Sequence, residues 1–321
     1  MRAVVGVAVA VALLAGSCRE ASGGTAPAPS DAGSAAASGS AAASGSAAAS
    51  GSAAASGSAA ASGSAAACPE GEVFIPATGP EGFTMGRGAP GRLDQAHTVV
   101  LTRPFCMDAT EVTVTAYRAC VDRGACTIPQ LNDANSNFRP ELDRPNHPIN
   151  MVNFTQATRF CEASGKSLPT EAQFEWAAGA GQRKYPWGDA PDPTCEDGLA
   201  DFTPGGTPKR DPAGDHGCHG GGTSPVGAHP KGAAVWPAGA LQDIAGNLWE
   251  WTADCYVPYP REKVVDPSPQ RHPSFERGCY VRSLRGGGWN RSREALQVTY
   301  RAGSKLTYRV PGLGFRCVRT R

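Results

Sequence analysis

The sequence predicts an α+β domain that is loop-rich, with short strands and few helices, carried behind a long low-complexity segment. Three observations predict it. Gly and Pro number 40 and 27 in 321 residues, and turn signals such as P-G, G-D and G-G recur from Cys68 to the C-terminus. The apolar runs there are short, as at Glu72-Val73-Phe74-Ile75. Helical spacing holds over two or three segments.

The chain opens with one positive charge at Arg2, an unbroken Ala/Val/Gly/Leu stretch from Ala3 to Leu14, and then L-A-G-S-C ending at Cys18. A charged start, a short apolar core and small residues before a cut site describe a secretory signal over residues 1–17. The run is shorter than the roughly 20 residues that span a bilayer. A cysteine after L-A-G-S is the position that receives lipid in bacterial lipoproteins. Cys18 is therefore expected to be acylated, and the protein to be exported and held on a membrane by its N-terminal lipid, facing the periplasm or the cell surface.

Residues 18–67 follow as a tether. The hexapeptide G-S-A-A-A-S begins at Gly33 and restarts at Gly39, Gly45, Gly51 and Gly57. Its side chains are no larger than Ser, so it has nothing with which to offset chain entropy by burial. As a Gly/Ser-like coil it would reach roughly 40 Å.

Residues 68–321 form the domain. Its first strands are expected at Glu72–Pro76, Gly82–Gly86 and Val99–Leu101, the last leading into Phe105–Val112. Val114–Val121 has helical spacing with Thr113 as N-cap. After an irregular stretch to Pro148, a helix opens near Asn153 with Ala157, Phe160 and Cys161 on its apolar face. Thr170 and Gln173 form a T-x-x-Q capping box for the next helix, and Gly179 ends it. With 30 basic and 29 acidic residues the net charge is +1, which gives no electrostatic case for nucleic acid.

There are 11 cysteines. Setting Cys18 aside for lipid leaves Cys68, Cys106, Cys120, Cys126, Cys161, Cys195, Cys218, Cys255, Cys279 and Cys317, an even set that fits up to five disulfides in an exported chain. Sequence proximity favours Cys120 with Cys126, Cys195 with Cys218, and Cys255 with Cys279. The sequence has no C-x-x-C pair, so a thiolate zinc site has little support.

Seven blocks occur in order: F-T-M-G, F-C-M-D-A-T-E-V-T, G-K-S-L-P-T-E-A-Q-F-E-W-A-A, Y-P-W-G-D, D-I-A-G-N-L-W-E-W-T-A-D, L-R-G-G-G-W-N and G-L-G-F-R-C-V-R. Together they resemble the formylglycine-generating enzyme, or sulfatase-modifying-factor, family. The resemblance implies a variant of the C-type-lectin fold, a Cys161–Cys317 disulfide, and structural Ca²⁺ held by Asp243 and Glu250 side chains with the Gly246 and Leu248 carbonyls. Hard oxygen donors on a tight turn suit that ion. A second family calcium site would fall near Asp201 and Phe202, where Cys218 and His219 stand in place of an expected carboxylate.

The family's activity is copper-dependent oxidation of a sulfatase cysteine, using two cysteines between the R-G-G turn and the closing G-F-R. Here Gly288 to Arg301 contains no cysteine, and Arg291 and Leu296 cannot supply the soft thiolates that Cu(I) needs. Copper is not expected. The related sulfur–carbon bond-forming branch needs a three-His iron site from a preceding helical domain, which an Ala/Ser/Gly tether does not provide.

Two functions of different class follow. In the first, the domain is a non-catalytic binding or scaffolding module that presents the loops Leu131–Pro148 and Pro191–Thr223 to a protein or glycan. In the second, it is an oxidoreductase-type enzyme with an altered site, its cleft drawn from Trp289, Asn290, Arg291 and Arg301. Lesser constellations are Asp215–His219, as a metal loop or a disulfide-tied surface loop, and Arg282, Arg285, Arg291 and Arg293, as an anion cleft or as salt-bridged loops. The near-zero net charge favours salt bridges. Trp249, Trp251 and Trp289 are expected as packing rather than as a carbohydrate platform.

Overall fold

The computed structural model describes residues 68–89, 91–179, 183–203, 218, 220–269 and 279–321. The expected signal, Cys18, the expected tether and most of the Asp215–His219 loop lie outside them. Twelve short strands and three α-helices make up the described fold, as the Gly- and Pro-rich sequence requires. The strands are β1 (Glu72–Ile75), β2 (Phe83–Met85), β3 (His97–Val100), β4 (Phe105–Asp108), β5 (Ala234–Trp236), β6 (Gly239–Leu241), β7 (Trp249–Cys255), β8 (Val264–Val265), β9 (Val281–Arg285), β10 (Ala302–Lys305), β11 (Leu313–Gly314) and β12 (Val318–Thr320). The helices are α1 (Val114–Asp122), α2 (Phe154–Ala163) and α3 (Glu171–Ala177).

Four small sheets form: β1-β4-β12, β10-β9-β7-β11, β2-β3-β8 and the hairpin β5-β6. The β3–β8 and β7–β11 pairs are parallel, which brings together segments far apart in sequence. The central strand β7 has a register irregularity between Trp251 and Cys255 where it meets β9.

Local chemistry explains the helix starts. The Thr113 hydroxyl accepts from the Ala116 N–H at 3.1 Å. Thr170 with Gln173, and Asn153 with Gln156, close reciprocal capping boxes. The predicted face of α2 is buried at Ala157, Phe160 and Cys161. One core cluster packs β1–β4 against α3 around Ile75, Phe105, Met107 and Phe174. A second packs α1 and α2 around Tyr117, Trp251 and Phe315. Trp249, Trp251 and Trp289 are buried in the core, at 5%, 0% and 4% exposure.

All ten domain cysteines are paired. The bonds favoured by proximity form: Cys120–Cys126, Cys195–Cys218 and Cys255–Cys279. So does Cys161–Cys317, which ties α2 to the segment before β12. Cys68–Cys106 completes the set and pins the start of the domain to β4.

Candidate functional site

The turn from Asp243 to Glu250 is the point at which the sequence blocks meet. Three of its residues have left-handed backbone: Asp243 (φ 50°), Gly246 (φ 89°) and Asn247 (φ 57°). A Cβ on Gly246 would lie 2.7 Å from the Asp201 carbonyl oxygen, so the close approach of these two segments requires glycine. The Gly246 N–H donates to the Gly286 carbonyl at 2.8 Å, and the Asn247 N–H to the Asp201 carbonyl at 3.0 Å. Asn247 is the hub. Its side-chain oxygen accepts from the Ser224 N–H at 3.0 Å, its amide donates to Glu111 Oε2 at 2.9 Å, and its carbonyl accepts from the Trp289 N–H at 2.9 Å. The Leu248 N–H reaches Glu111 Oε1 at 3.1 Å.

Beneath the turn lies a buried carboxylate cluster. Glu111, Asp243 and Glu250 are 1%, 4% and 0% exposed, and Arg316 is fully buried beside them. Loss of solvent pushes all three carboxyl groups up, and at Glu111 the neighbouring Asp243 and Glu250 charges push further. Burial opposes the Arg316 cation, but Glu250, Glu111 and Asp243 more than offset it and hold its pKa above the usual arginine value.

Glu250, expected among the calcium ligands, faces Arg316. Both of its oxygens are taken by Arg316: Nε donates at 3.0 and 2.9 Å, and Nη2 at 2.8 Å. Asp243 Oδ2 accepts from the Gly227 N–H at 2.5 Å. Of the four nominated groups, Asp243 and the Gly246 and Leu248 carbonyls remain, well short of the six to eight oxygens that Ca²⁺ takes. Among the described residues, no group of three or more His, Cys, Asp or Glu side chains is arranged to hold a metal. The second calcium region does not improve on this: Asp201 and Phe202 are buried, and Asp201 Oδ2 accepts from the Ser224 hydroxyl at 3.1 Å.

The interval that follows Arg285 forms the neighbouring wall. Gly286 and Gly287 have φ of 91° and 75°, and a Cβ on Gly287 would meet the Ala295 carbonyl oxygen at 2.8 Å. Arg291 donates its N–H to the Gly288 carbonyl at 2.8 Å and accepts from the Thr203 N–H at 2.7 Å. Leu296 is buried with Tyr185, Ala200 and Phe202. Trp289 Nε1 and Asn290 Oδ1 are buried with no hydrogen-bond partner among the described residues.

Arg301 does not join Trp289, Asn290 and Arg291, and its placement in a cleft is corrected. It belongs to a buried ionic network with Glu171, Tyr259 and the β9 residues Ser283 and Arg285. Its Nε donates to Glu171 Oε2 at 2.9 Å, Nη2 pairs with Glu171 Oε1, and its guanidinium lies 4.0 Å from the Tyr259 ring centroid. Arg285 is likewise buried, pairing with Glu171 at 3.1 Å and with Glu175. The Tyr259 hydroxyl donates to Glu171 Oε2 at 2.7 Å. Burial works against the Glu171 charge, but Arg301 and Arg285 win and hold its pKa below the ordinary value; at Glu175 burial wins and the pKa is raised. Arg282 stacks 4.2 Å from the Phe154 ring centroid, and exposed Arg293 pairs with Glu294 at 3.6 Å. These arginines do not line an anion cleft. Glu171 and Glu175 were not singled out in the sequence, although their i,i+4 spacing puts two carboxylates on one face of α3.

The two candidate loops do meet. Asn137 Nδ2 donates to the Thr223 hydroxyl at 2.8 Å, His147 Nδ1 lies 2.9 Å from that same oxygen, and the Val226 N–H donates to the Asn146 carbonyl at 2.9 Å.

Short sheets closed around a tight Asn-centred turn define a C-type-lectin-like domain of the formylglycine-generating type. The chain belongs to the sulfatase-modifying factor enzyme 1-like domain family, which matches residues 59–321. A formylglycine-generating enzyme of Streptomyces coelicolor is 33% identical over 196 residues, covering 54% of this chain and 53% of that protein. The inactive C-alpha-formylglycine-generating enzyme 2 of Mus musculus is 32% identical over 189 residues, covering 57% and 51%. A hercynine oxygenase of Mycolicibacterium thermoresistibile is 33% identical over 165 residues, covering 49% and 32%. The chain thus spans about half the length of the first two and a third of the last. Among solved structures, PvdO from Pseudomonas aeruginosa superposes with a TM-score of 0.55 at 22% identity, covering 78% of this chain and 94% of that one. Treponema denticola variable protein 1 gives 0.51 at 20%, covering 78% and 95%. Both share the fold.

Proposed function

We propose that the chain is an exported, membrane-tethered lipoprotein, anchored at Cys18, whose domain binds or scaffolds a protein or glycan and does not carry out the family's cysteine-dependent oxidation. The observation that carries this reading is the state of the thiols. Arg291 and Leu296 stand where the family's two redox cysteines are expected, and all ten domain cysteines are spent in five disulfides. Cu(I) needs thiolates, and a disulfide sulfur is a poor substitute. A mouse relative is itself named as inactive, so the family framework persists without its activity. The two loops are tied together through buried Asn137 and Thr223, and exposed residues of the first, such as Leu131 and Asn146, are open to a partner.

The test is a thiol titration of the full-length protein, unfolded without reductant. The expected count is zero free thiols among the ten domain cysteines. Two or more would overturn the reading.

A second reading is an enzyme with altered chemistry. Trp289 Nε1 and Asn290 Oδ1, buried and unpartnered in the family's reaction region, favour a polar ligand there. That reading predicts turnover that Trp289→Phe abolishes without changing Tm.

A further inference from the structure

A cavity of about 240 Å³ opens between α1 and the loop that follows it, lined by Thr115, Arg118, Arg139, Asp143, Arg144 and Pro145 among others. Three arginines and one aspartate therefore line one small space in a chain whose net charge is +1. Arg139 is partly neutralised by Glu141, at 2.6 Å. Arg118 and Arg144 have no carboxylate within 4.0 Å among the described residues. Both are held in place by neutral groups. Arg118 lies 4.3 Å from the Phe138 ring centroid and donates from Nη2 to the Phe138 carbonyl at 3.2 Å. Arg144 donates from Nη1 to Asn137 Oδ1 at 2.9 Å. Two half-buried cations are thus ordered without an internal counter-charge. Such forks match the paired oxygens of sulfate, phosphate or carboxylate groups. The cavity is smaller than the roughly 300–1,000 Å³ of sites for drug-sized ligands, so it suits a single head group. Asp143, an exposed residue of the same lining, opposes the three arginines and limits the cavity to one anionic group.

We propose that Arg118, Arg139 and Arg144 form a binding site for one oxyanion group, as the free ion or as an ester on a sugar. This deepens the binding-module reading by naming the chemistry of one loop surface. Calorimetric titration of the full-length protein at constant ionic strength tests it, with inorganic sulfate, inorganic phosphate and a sulfated monosaccharide as probes. Saturable one-to-one binding of at least one probe is expected. Arg144→Gln should weaken it about tenfold or more, Arg118→Lys should weaken it less than Arg118→Gln, and Arg92→Gln should leave it unchanged. Tighter binding of the sulfated sugar than of free sulfate would assign the ester as ligand, and the reverse would assign the free ion. If Arg118→Gln fails to fold, Arg144→Gln stands as the test, read at unchanged Tm. No saturable heat with any probe, or unchanged affinity in Arg144→Gln, would overturn the site. Either result would leave the thiol count, and the reading that rests on it, untouched.

Discussion

At the residue scale the domain is organised by two buried ionic centres, and Glu171 in the first responds to pH in the opposite direction to the carboxyls of the second. In the first, Glu171 bridges Arg285 and Arg301 and accepts from Tyr259. Its folded pKa lies below its unfolded value near 4.5. Its contribution to stability is therefore complete above that value and is lost as pH falls through the folded pKa. Glu171→Gln should lower stability by about 3–5 kcal/mol at pH 7, because two buried guanidiniums lose their counter-charge. The gap to wild type should narrow as denaturation is repeated at pH values falling below 4.5. A gap constant with pH would contradict the ionic account. In the second centre, Glu111 and Asp243 have raised pKa values, so their contribution is present at low pH and shrinks as pH rises. The mutant-to-wild-type difference isolates Glu171 from this opposing trend. The sequence could not disclose either centre. The partners of Glu171 and Glu175 lie 130 and 110 residues away, and Arg316 lies 66 residues beyond Glu250. The family motif supplied Glu250 as an oxygen donor, and a distant arginine took both of its oxygens.

At the element scale, legibility followed range. The caps at Thr113 and Thr170–Gln173 were readable because each is closed within three residues. The same logic was available at Asn153 and Gln156. The parallel pairs β3–β8 and β7–β11 were not readable, since two-residue partners carry no period. The disulfides divide in the same way: loops of 6, 23 and 24 residues follow from proximity, whereas Cys68–Cys106, 38 apart, does not. Their contributions should differ with loop length. By chain entropy the 156-residue loop closed by Cys161–Cys317 is worth about 5 kcal/mol, and the 6-residue loop closed by Cys120–Cys126 about 2 kcal/mol. Replacing both cysteines by Ala in each pair, with urea midpoints measured for the two variants, should show the larger loss for Cys161–Cys317. Equal losses would indicate that the Cys161–Cys317 link adds little beyond the packing of α2 against Phe315.

At the scale of the whole molecule, the family framework is intact, and the proposed departure from the family's chemistry rests on one interval of the chain. The Asn247 turn, the Gly286–Gly287 bend and the Cys161–Cys317 bond are all present. The resemblance places two thiols between Gly288 and Arg301, an interval that holds a backbone-tied Arg291, a buried Leu296 and no cysteine. The two candidate loops are tied at buried Thr223, and the first of them lines an arginine-bearing cavity, which supports the proposed recognition role. The measurement that tests this most directly is aldehyde formation by the full-length protein, supplied with Cu(I), oxygen and a cysteine-containing sulfatase-type peptide, with copper retention measured in parallel. The account predicts no stoichiometric copper and no aldehyde. One bound copper per chain together with aldehyde product would contradict it, and would mean that two of the ten paired cysteines open to do the chemistry.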